Sequence, residues 1–450
     1  FRGQTEMAGL YRLVSDNPVN QWVIDHELLA PGDAGQLYCD DPPDRPYATD
    51  ASRFAFFSAA AARVIADELI TAHDVNHLHD WHTAIVSVLA TFDPDFRSVA
   101  DRQLVYTIHN LSLQGIRPFS GDDSSLNAWF PDLDYQTEWI ADPRYPDCFN
   151  PMRAAINFCR RIHAVSATYA AEITRPSDPD RGFVGGEGLH GDLQKASAEG
   201  RLWGILNGCE YPVESPEPAE FHQTLDLASQ TVLQWMVDST SAKSADVLAL
   251  DTIQRWKLVE RPAFCVTSVG RLTEQKVRLL EERLEDGRSC LEHLLDLLAT
   301  QQGCLIVLGS GNEGLERFVR KIAASHRHLL FLNGYSDPLS HEMYILGDLF
   351  LMPSSFEPCG ISQMLAMREG QPCLVHGVGG LADTVIDNET GFVFHGDSPA
   401  SQASALLVRL GQVLELRNSA AAWQAVCKSA AEARFSWDSA AEAYEAHLYR

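Results

Sequence analysis

The segment SSFEPCGISQMLAMREGQPCLVHGVGGLADTV begins at Ser354. It carries a lone acid, Glu357, before a proline and the pair Cys359-Gly360, then a helical run, then Gly379-Gly380 before Leu381. An acid at one strand end and a glycine pair at the next are both ways of holding a polar ligand at the carboxyl edge of a parallel sheet. Glycine amides at a helix start can face an anion or a hydroxyl. Without a ligand, the same residues read as a helix-start charge and a tight turn. Arg271 and Lys276, in SVGRLTEQKV, offer a planar fork of donors and a mobile point charge. Together they suit a diphosphate whose charge grows as it departs, or else they are two ordinary surface cations. VNHLHDWHTA places His77, His79, Asp80, Trp81 and His82 within six positions. The order departs from the His-x-His-x-Asp-His of some zinc hydrolases, because Asp80 directly follows the second His, and the other ligands of such a site are not evident. Asp80 then either starts a helix or, with its neighbours, hydrogen-bonds a hydroxyl-rich ligand. His109, beside Asn110 in VYTIHNLSLQG, stands at another such strand end, as a structural group or as a catalyst. Tyr335, in NGYSDPLSHEMY, can stack on a base or simply rim the core.

The elements that must hold these residues are short apolar runs, each ending in Gly, Ser, Asn or His and followed by a helical pattern. QWVID, VNHLHD, LVYTIHN, RIHAVS and WGILNG form one series; AFCVTSVG, CLIVLGSG, LLFLNGY, DLFLMPS and PCLVHGVGG form a second. Strands alternating with helices predict βαβ units and parallel sheets, whose ligands bind beyond the strand carboxyl ends. Every residue singled out above falls at such an end. Residues 212–260 separate the two series and read as the passage between two doubly wound domains, a loop-like YPVESPEPAEF and then helices. The stretch 175–192 reads as a surface loop free to move, and FSWDSAAEAYEAHLYR as a helix capped by Ser436 or Asp438.

The chain has 450 residues, too many for one ordinary core. Its apolar content of 45% and charged content of 21% are those of a globular protein. A net charge of -26 argues against nucleic acid or an anionic membrane as partner, while leaving room for a local basic site. None of the ten cysteines lies in a C-x-x-C pair and several sit in apolar runs, the usage of reduced thiols. No apolar run reaches membrane-spanning length, and the start FRGQTEMAGLYRL lacks the layout of a signal peptide.

In combination, HLHDWHTA, YTIHNLSLQG, IHAVSATYAAEI, GILNGCEYPV, GRLTEQK, FEPCGISQ and GGLADTV resemble one family, the bacterial glycogen synthases and plant starch synthases, in that family's order from about Val75 to Phe394. The resemblance implies an α/β protein of two Rossmann-like domains facing across a cleft, the GT-B arrangement. Residues 1–211 would form an acceptor domain, 212–430 a nucleotide-sugar domain, and 431–450 a helix crossing back to the first. It implies retaining transfer of glucose from ADP-glucose or UDP-glucose to the 4-hydroxyl of an α-1,4-glucan, with no metal or organic cofactor, in the cytoplasm or, in a eukaryote, a plastid. By matching position, Arg271 and Lys276 would hold the diphosphate and Glu357 would stabilise the transferring glucose. Gly379, Gly380 and Leu381 would present amides to sugar or phosphate. Asp80, His109 and Asn207 would contact the glucose or place the acceptor, and Tyr335 would stack on adenine. Trp81, Cys359 and Gly360 fall within the matched motifs as further substrate-binding positions.

The departures are specific. Many nucleotide-sugar transferases carry a second Glu eight positions after the first; Leu365 stands there, where starch synthases usually have Tyr. Glu369 replaces a family aromatic, and His376-Gly377-Val378 replaces basic or small polar residues. The family's opening strand and Lys-x-Gly-Gly loop have no counterpart, so the first domain is expected to lack a βαβ-sized unit of about 30 residues or more. That absence keeps a rival in view, a non-catalytic glucan- or nucleotide-binding relative. A glucan phosphorylase, which needs a lysine for pyridoxal phosphate, and a metal-dependent hydrolase are weaker rivals.

Overall fold

Runs such as QLVYTI and GCLIVL are apolar on both faces of a strand, so they are stable only where both faces are covered, as in a parallel sheet between helices. The structure, a computed structural model, describes residues 1–32, 38–212, 219–239 and 243–450 and bears this out. Strands β3 (Val75–His79), β4 (Gln103–Ile108), β7 (Arg161–Ala164) and β8 (Leu202–Gly204) form a parallel sheet in the order β3-β4-β7-β8. A short antiparallel pair, β5 (Arg117–Pro118) and β6 (Cys148–Phe149), lies between β4 and β7 in sequence. Strands β9 (Phe264–Val269), β10 (Gly303–Leu308), β11 (Leu329–Leu332), β12 (Leu349–Met352), β13 (Cys373–His376) and β14 (Gly391–Phe394) form a second parallel sheet, ordered β11-β10-β9-β12-β13-β14. β10 to β13 are buried at every residue.

Polar caps mark where the chain turns from strand to helix. Asn312 accepts from the amides of Gly314 and Leu315 after β10, and Ser336 accepts from Leu339 after β11, with proline in the first helical turn. These turns gather the polar residues at the carboxyl ends of both sheets.

Nine of the ten runs read as strands are strands of the two sheets. The exception is QWVID. Trp22–Asp25 (β2) pairs antiparallel with Gly9–Arg12 (β1), apart from both parallel sheets, and its Trp22 and Val23 are exposed. Residues 13–21 join the two strands without a helix, too short a connection for the crossover that a parallel pair needs. The passage after Tyr211 forms helices Phe221–Asp238 and Ser244–Trp256; residues 213–218 of YPVESPEPAEF lie outside the described residues. The stretch 175–192 is not a free loop. Gly185, Gly186 and Leu189 are buried, and Arg181 reaches the second sheet's side, its carbonyl accepting from Gln402 at 3.2 Å and its guanidinium pairing with Asp397.

Helix Trp437–His447 is capped by Ser436, one of its two candidates, and lies on the first sheet. Ala440 and Leu448 are buried with Val105 and Ile205, and Trp203 stacks on His447 at 4.2 Å. Leu448→Ala should therefore cost about 2–5 kcal/mol of stability in denaturant unfolding, as for other buried leucines. A loss well under 1 kcal/mol, roughly a surface substitution, would show that this segment does not hold to the sheet.

Candidate active site between two sheet edges

The acid and the cations come together. Lys276, in the helix Glu274–Glu281 that follows β9, forms an ion pair with Glu357 beyond the end of β12. Ser354 donates to the same carboxylate oxygen at 3.0 Å, and Glu357 is only 5% exposed. The neighbouring loop is tied down as well: the Gln275 carbonyl accepts from the Ser355 amide at 2.8 Å and from its hydroxyl at 3.1 Å. Arg271 is exposed and lines a small crevice with Lys276 and Ser354. It also lines a wider cavity of about 530 Å³ that runs past Tyr335, Ile361 and Leu365. Tyr335 is 66% exposed, its ring free at the mouth and its hydroxyl on Asp337.

Across from this edge stand the first sheet's residues. Asp80 has a left-handed backbone (φ 48°), which costs energy in a residue other than glycine. Its Oδ1 accepts from the His109 amide at 2.8 Å, which ties the end of β3 to the end of β4. Burial pushes its carboxyl up to about 6, against the pull of the amides of His109 and Asn110. The His109 ring lies 3.0 Å from His79, Nε2 to Nδ1, and burial lowers its pKa. The Asn110 amide reaches Gln275 at 3.4 Å. The Asn207 amide N–H points at the Cys359 thiol, and Ser166 donates to the Pro358 carbonyl at 2.6 Å. Tyr335 and Arg271 thus line one cavity and Arg271 and Lys276 another, and the Asn110–Gln275 bond brings the end of β4 beside the helix that carries Lys276.

Three assignments change. The amides of Gly379, Gly380 and Leu381 are not open to a ligand. Gly379 donates to Glu172 at 3.0 Å, Gly380 to the Glu357 carbonyl at 2.9 Å and Leu381 to the Val378 carbonyl at 3.0 Å. The glycines are required by packing: a Cβ on Gly379 would meet the Glu357 carbonyl oxygen at 1.9 Å, and one on Gly380 the Cys359 carbonyl oxygen at 2.1 Å. Trp81 is not a cleft wall. It is 2% exposed in the first core, packed against Gly115 and edge-on to Phe54. The Cys359 side chain is buried in that same core, its thiol pushed up to about 12 by burial, so it joins the two units instead of touching a substrate. Gly360, with φ 74°, makes the turn that follows, where a Cβ would strike Gln363.

The histidines of VNHLHDWHTA hydrogen-bond to different partners and do not converge on one point. His77 turns to Thr107 and Tyr449, His79 to His109, and His82 to Tyr38 at 3.0 Å. The residue missed in the sequence is Glu172, at the end of helix Ala167–Glu172. With Thr168, which bonds both oxygens of Asp383, it fastens the first unit to the glycine turn of the second. Burial pushes the Glu172 carboxyl up to about 7.

Two parallel sheets whose carboxyl edges face each other across bridged loops are the architecture of the GT-B glycosyltransferases. Residues 2–195 match the starch synthase catalytic domain, and residues 287–424 match the glycosyl transferases group 1. The chain is 30% identical to a glycogen synthase of Photobacterium profundum over 92% of its own length and 75% of that protein's. It is 33% identical to one from Anaeromyxobacter over 90% of its length and 78% of that protein's. The catalytic domain of starch synthase IV from Arabidopsis thaliana, bound to ADP and acarbose, superposes with a TM-score of 0.71 at 25% identity, covering 98% of this chain and 83% of that one. The chain belongs to the glycogen and starch synthase family and is a glycosyltransferase.

Two outcomes check this site's construction. Trp81→Ala should cost about 3–5 kcal/mol in unfolding, as a core truncation does; a loss of donor binding in a protein of native stability would return Trp81 to the cleft. For Glu172, the folded carboxyl keeps its proton to a higher pH than the unfolded one. The folded state therefore binds more protons between about pH 4.5 and about pH 7, and stability falls as pH rises through that window. Glu172→Gln keeps an acceptor for Gly379 and removes the titration, so its Tm should fall less over the window than the native protein's. Equal slopes would contradict the burial of Glu172.

Proposed function

We propose that this chain transfers glucose from ADP-glucose, with UDP-glucose as the other candidate donor, to the 4-hydroxyl of an α-1,4-glucan with retention. The observation that carries the reading is the Lys276–Glu357 pair at the carboxyl edge of the second sheet, beside Arg271. In the free protein the lysine neutralises a nearly buried acid. When a nucleotide sugar enters, its diphosphate competes for Lys276 and for the fork of Arg271, and Glu357 is left beside the sugar. As the bond from the anomeric carbon to the diphosphate breaks, positive charge grows on the sugar ring and negative charge on the leaving group. Glu357 faces the first, Arg271 and Lys276 the second. Tyr335, exposed at the mouth of the larger cavity, offers a flat face to the base, and adenine gives it more area than uracil. Leu365 and Ile361 line that cavity where an acid could have gripped the ribose, so stacking carries more of the donor recognition.

In this reading residues 1–211 carry the acceptor side and 212–430 the donor side, with 431–450 packed back on the first. His109, Asp80 and Asn207 contact the glucose or place the acceptor hydroxyl. The bridging contacts keep water, the competing acceptor, out of the closed cleft. Ten unpaired cysteines fit a reducing compartment such as the cytoplasm, and among the described residues no helix is long and apolar enough to cross a membrane.

The test is glucose transfer to glycogen from ADP-glucose and UDP-glucose side by side. Glu357→Gln should lower kcat and kcat/KM together, by roughly 10²-fold or more, with donor KM little changed. Arg271→Ala and Lys276→Ala should slow the same step, and added Mg²⁺ should not rescue them. A rise in donor KM with kcat unchanged in Glu357→Gln would remove that residue from the chemistry. ADP binding with no transfer to any glucan would make the chain a binding relative instead.

A further inference from the structure

The face of the first sheet that lies under helix Trp437–His447 carries a column of histidines. His77 and His79 lie on β3 and His163 on β7, with Thr107 of β4 paired to both His79 and His163 in register; His109 follows β4. Their contacts form a chain of heavy-atom distances: Tyr449 hydroxyl to His77 Nδ1 at 2.9 Å, His77 Nε2 to Thr107 Oγ1 at 2.6 Å, Thr107 Oγ1 to His163 Nδ1 at 2.9 Å, and His163 Nε2 to the Ile205 carbonyl at 2.8 Å.

The last link fixes all the others. A carbonyl only accepts, so His163 Nε2 must carry the hydrogen. Burial lowers His163 to about 4 and His77 to about 3, so at neutral pH each ring holds one proton. His163 Nδ1 is then a bare acceptor and takes the single hydroxyl hydrogen of Thr107. Thr107 must therefore accept from His77 Nε2, and His77 Nδ1 is left bare for the Tyr449 hydroxyl. Every group is used once, in one direction, from Tyr449 to Ile205.

The column reaches the cleft through ring contacts. His77 stacks on His79 with centroids 4.5 Å apart, and His79 shares a hydrogen with His109 at 3.0 Å. The titratable groups facing this column are Asp80 from the end of β3, the four histidines themselves, and Tyr444 and Tyr449 from the helix side; Asp80 is the only acid among them. None of the catalytic roles assigned above uses Tyr449, His77 or His163.

We propose that Tyr449 is a positioning residue for the transfer reaction: its hydroxyl, donating to the bare Nδ1, fixes the aim of His77, whose ring props His79 against His109, so the seating of helix Trp437–His447 sets the orientation of His109 in the cleft. This rests on the reading of His109 as a residue that faces the glucose.

The experiment uses the full chain labelled with ¹⁵N-histidine. Long-range ¹H–¹⁵N correlation at pH 7 should show His77 and His163 neutral, each with hydrogen on Nε2. Tyr449→Phe keeps the ring and its packing and removes one donor. It should leave hydrogen on Nε2 of both His77 and His163, shift the His77 Nδ1 resonance as that nitrogen loses its hydrogen bond, and move the His109 resonances. It should lower kcat about fivefold, the effect of one ordinary hydrogen bond on a barrier, with donor KM unchanged. Thr107→Val, which breaks the chain one link deeper, should disturb His77 and His163 together, and it serves as the second variant if Tyr449→Phe does not fold. Hydrogen on His77 Nδ1, a cationic His77 at pH 7, or Tyr449→Phe leaving both the His109 resonances and kcat unchanged would overturn the proposal. His109→Ala with native turnover would instead refute the assignment of His109 to the site, and the tautomer readout would still judge the chain of hydrogen bonds.

Discussion

A carboxylate that is 5% exposed is stable only with a counter-charge and hydrogen-bond donors against it, because desolvation of an isolated ion costs several kcal/mol (roughly) even after the protein relaxes. Glu357 is such a group, and much of the site follows from satisfying it. Lys276 supplies the charge and Ser354 a donor. To bring Lys276 there, the loop after β9 must lie against the loop after β12, which the two bonds from Ser355 to the Gln275 carbonyl achieve. The same requirement leaves a cation poised to exchange one anion for another. Under the proposed function, a diphosphate entering beside Arg271 would offer Lys276 a partner of higher charge and would uncover the acid beside the sugar.

The glycine pair belongs to the same construction. It holds the backbone of Glu357, Pro358 and Cys359 at a distance no side chain would tolerate, with Gly380 donating to the Glu357 carbonyl. The first unit then grips the composite loop from the other side, through Ser166 on Pro358, Glu172 on Gly379 and Thr168 on Asp383. An acid at one strand end and a glycine pair at the next are therefore two halves of one packed turn, which both units clamp. The acceptor that the Gly379 amide meets is supplied by the protein itself.

The second sheet was legible because its strands are uninterrupted apolar runs closed by capping residues, a pattern that full burial imposes. QWVID has the same composition, but its partner is a strand only a few residues upstream, and composition does not say which partner a strand finds. GFVF, the edge strand β14, is as long as its neighbours but follows directly on the turn at 388–390 and is not among the runs read as strands. Glu357, Lys276, Arg271, Asp80 and His109 could be singled out in the sequence because charged or titratable residues gathered at strand ends are candidates for holding a ligand, and the structure brings Lys276 and Glu357 together. Trp81 and Cys359 shared the same motifs and turned out to be core, since membership of a motif does not separate packing from contact. Glu172 gave no local signal, because its partner lies 207 residues away in the other unit.

The most direct measurement is a crystal structure of this chain with ADP and glucose in the cleft. The account predicts that Lys276 leaves Glu357 and, with Arg271, binds the diphosphate, that the base lies on the Tyr335 ring, and that the glucose lies between Glu357 and His109. ADP bound elsewhere, with the Lys276–Glu357 pair intact, would contradict it.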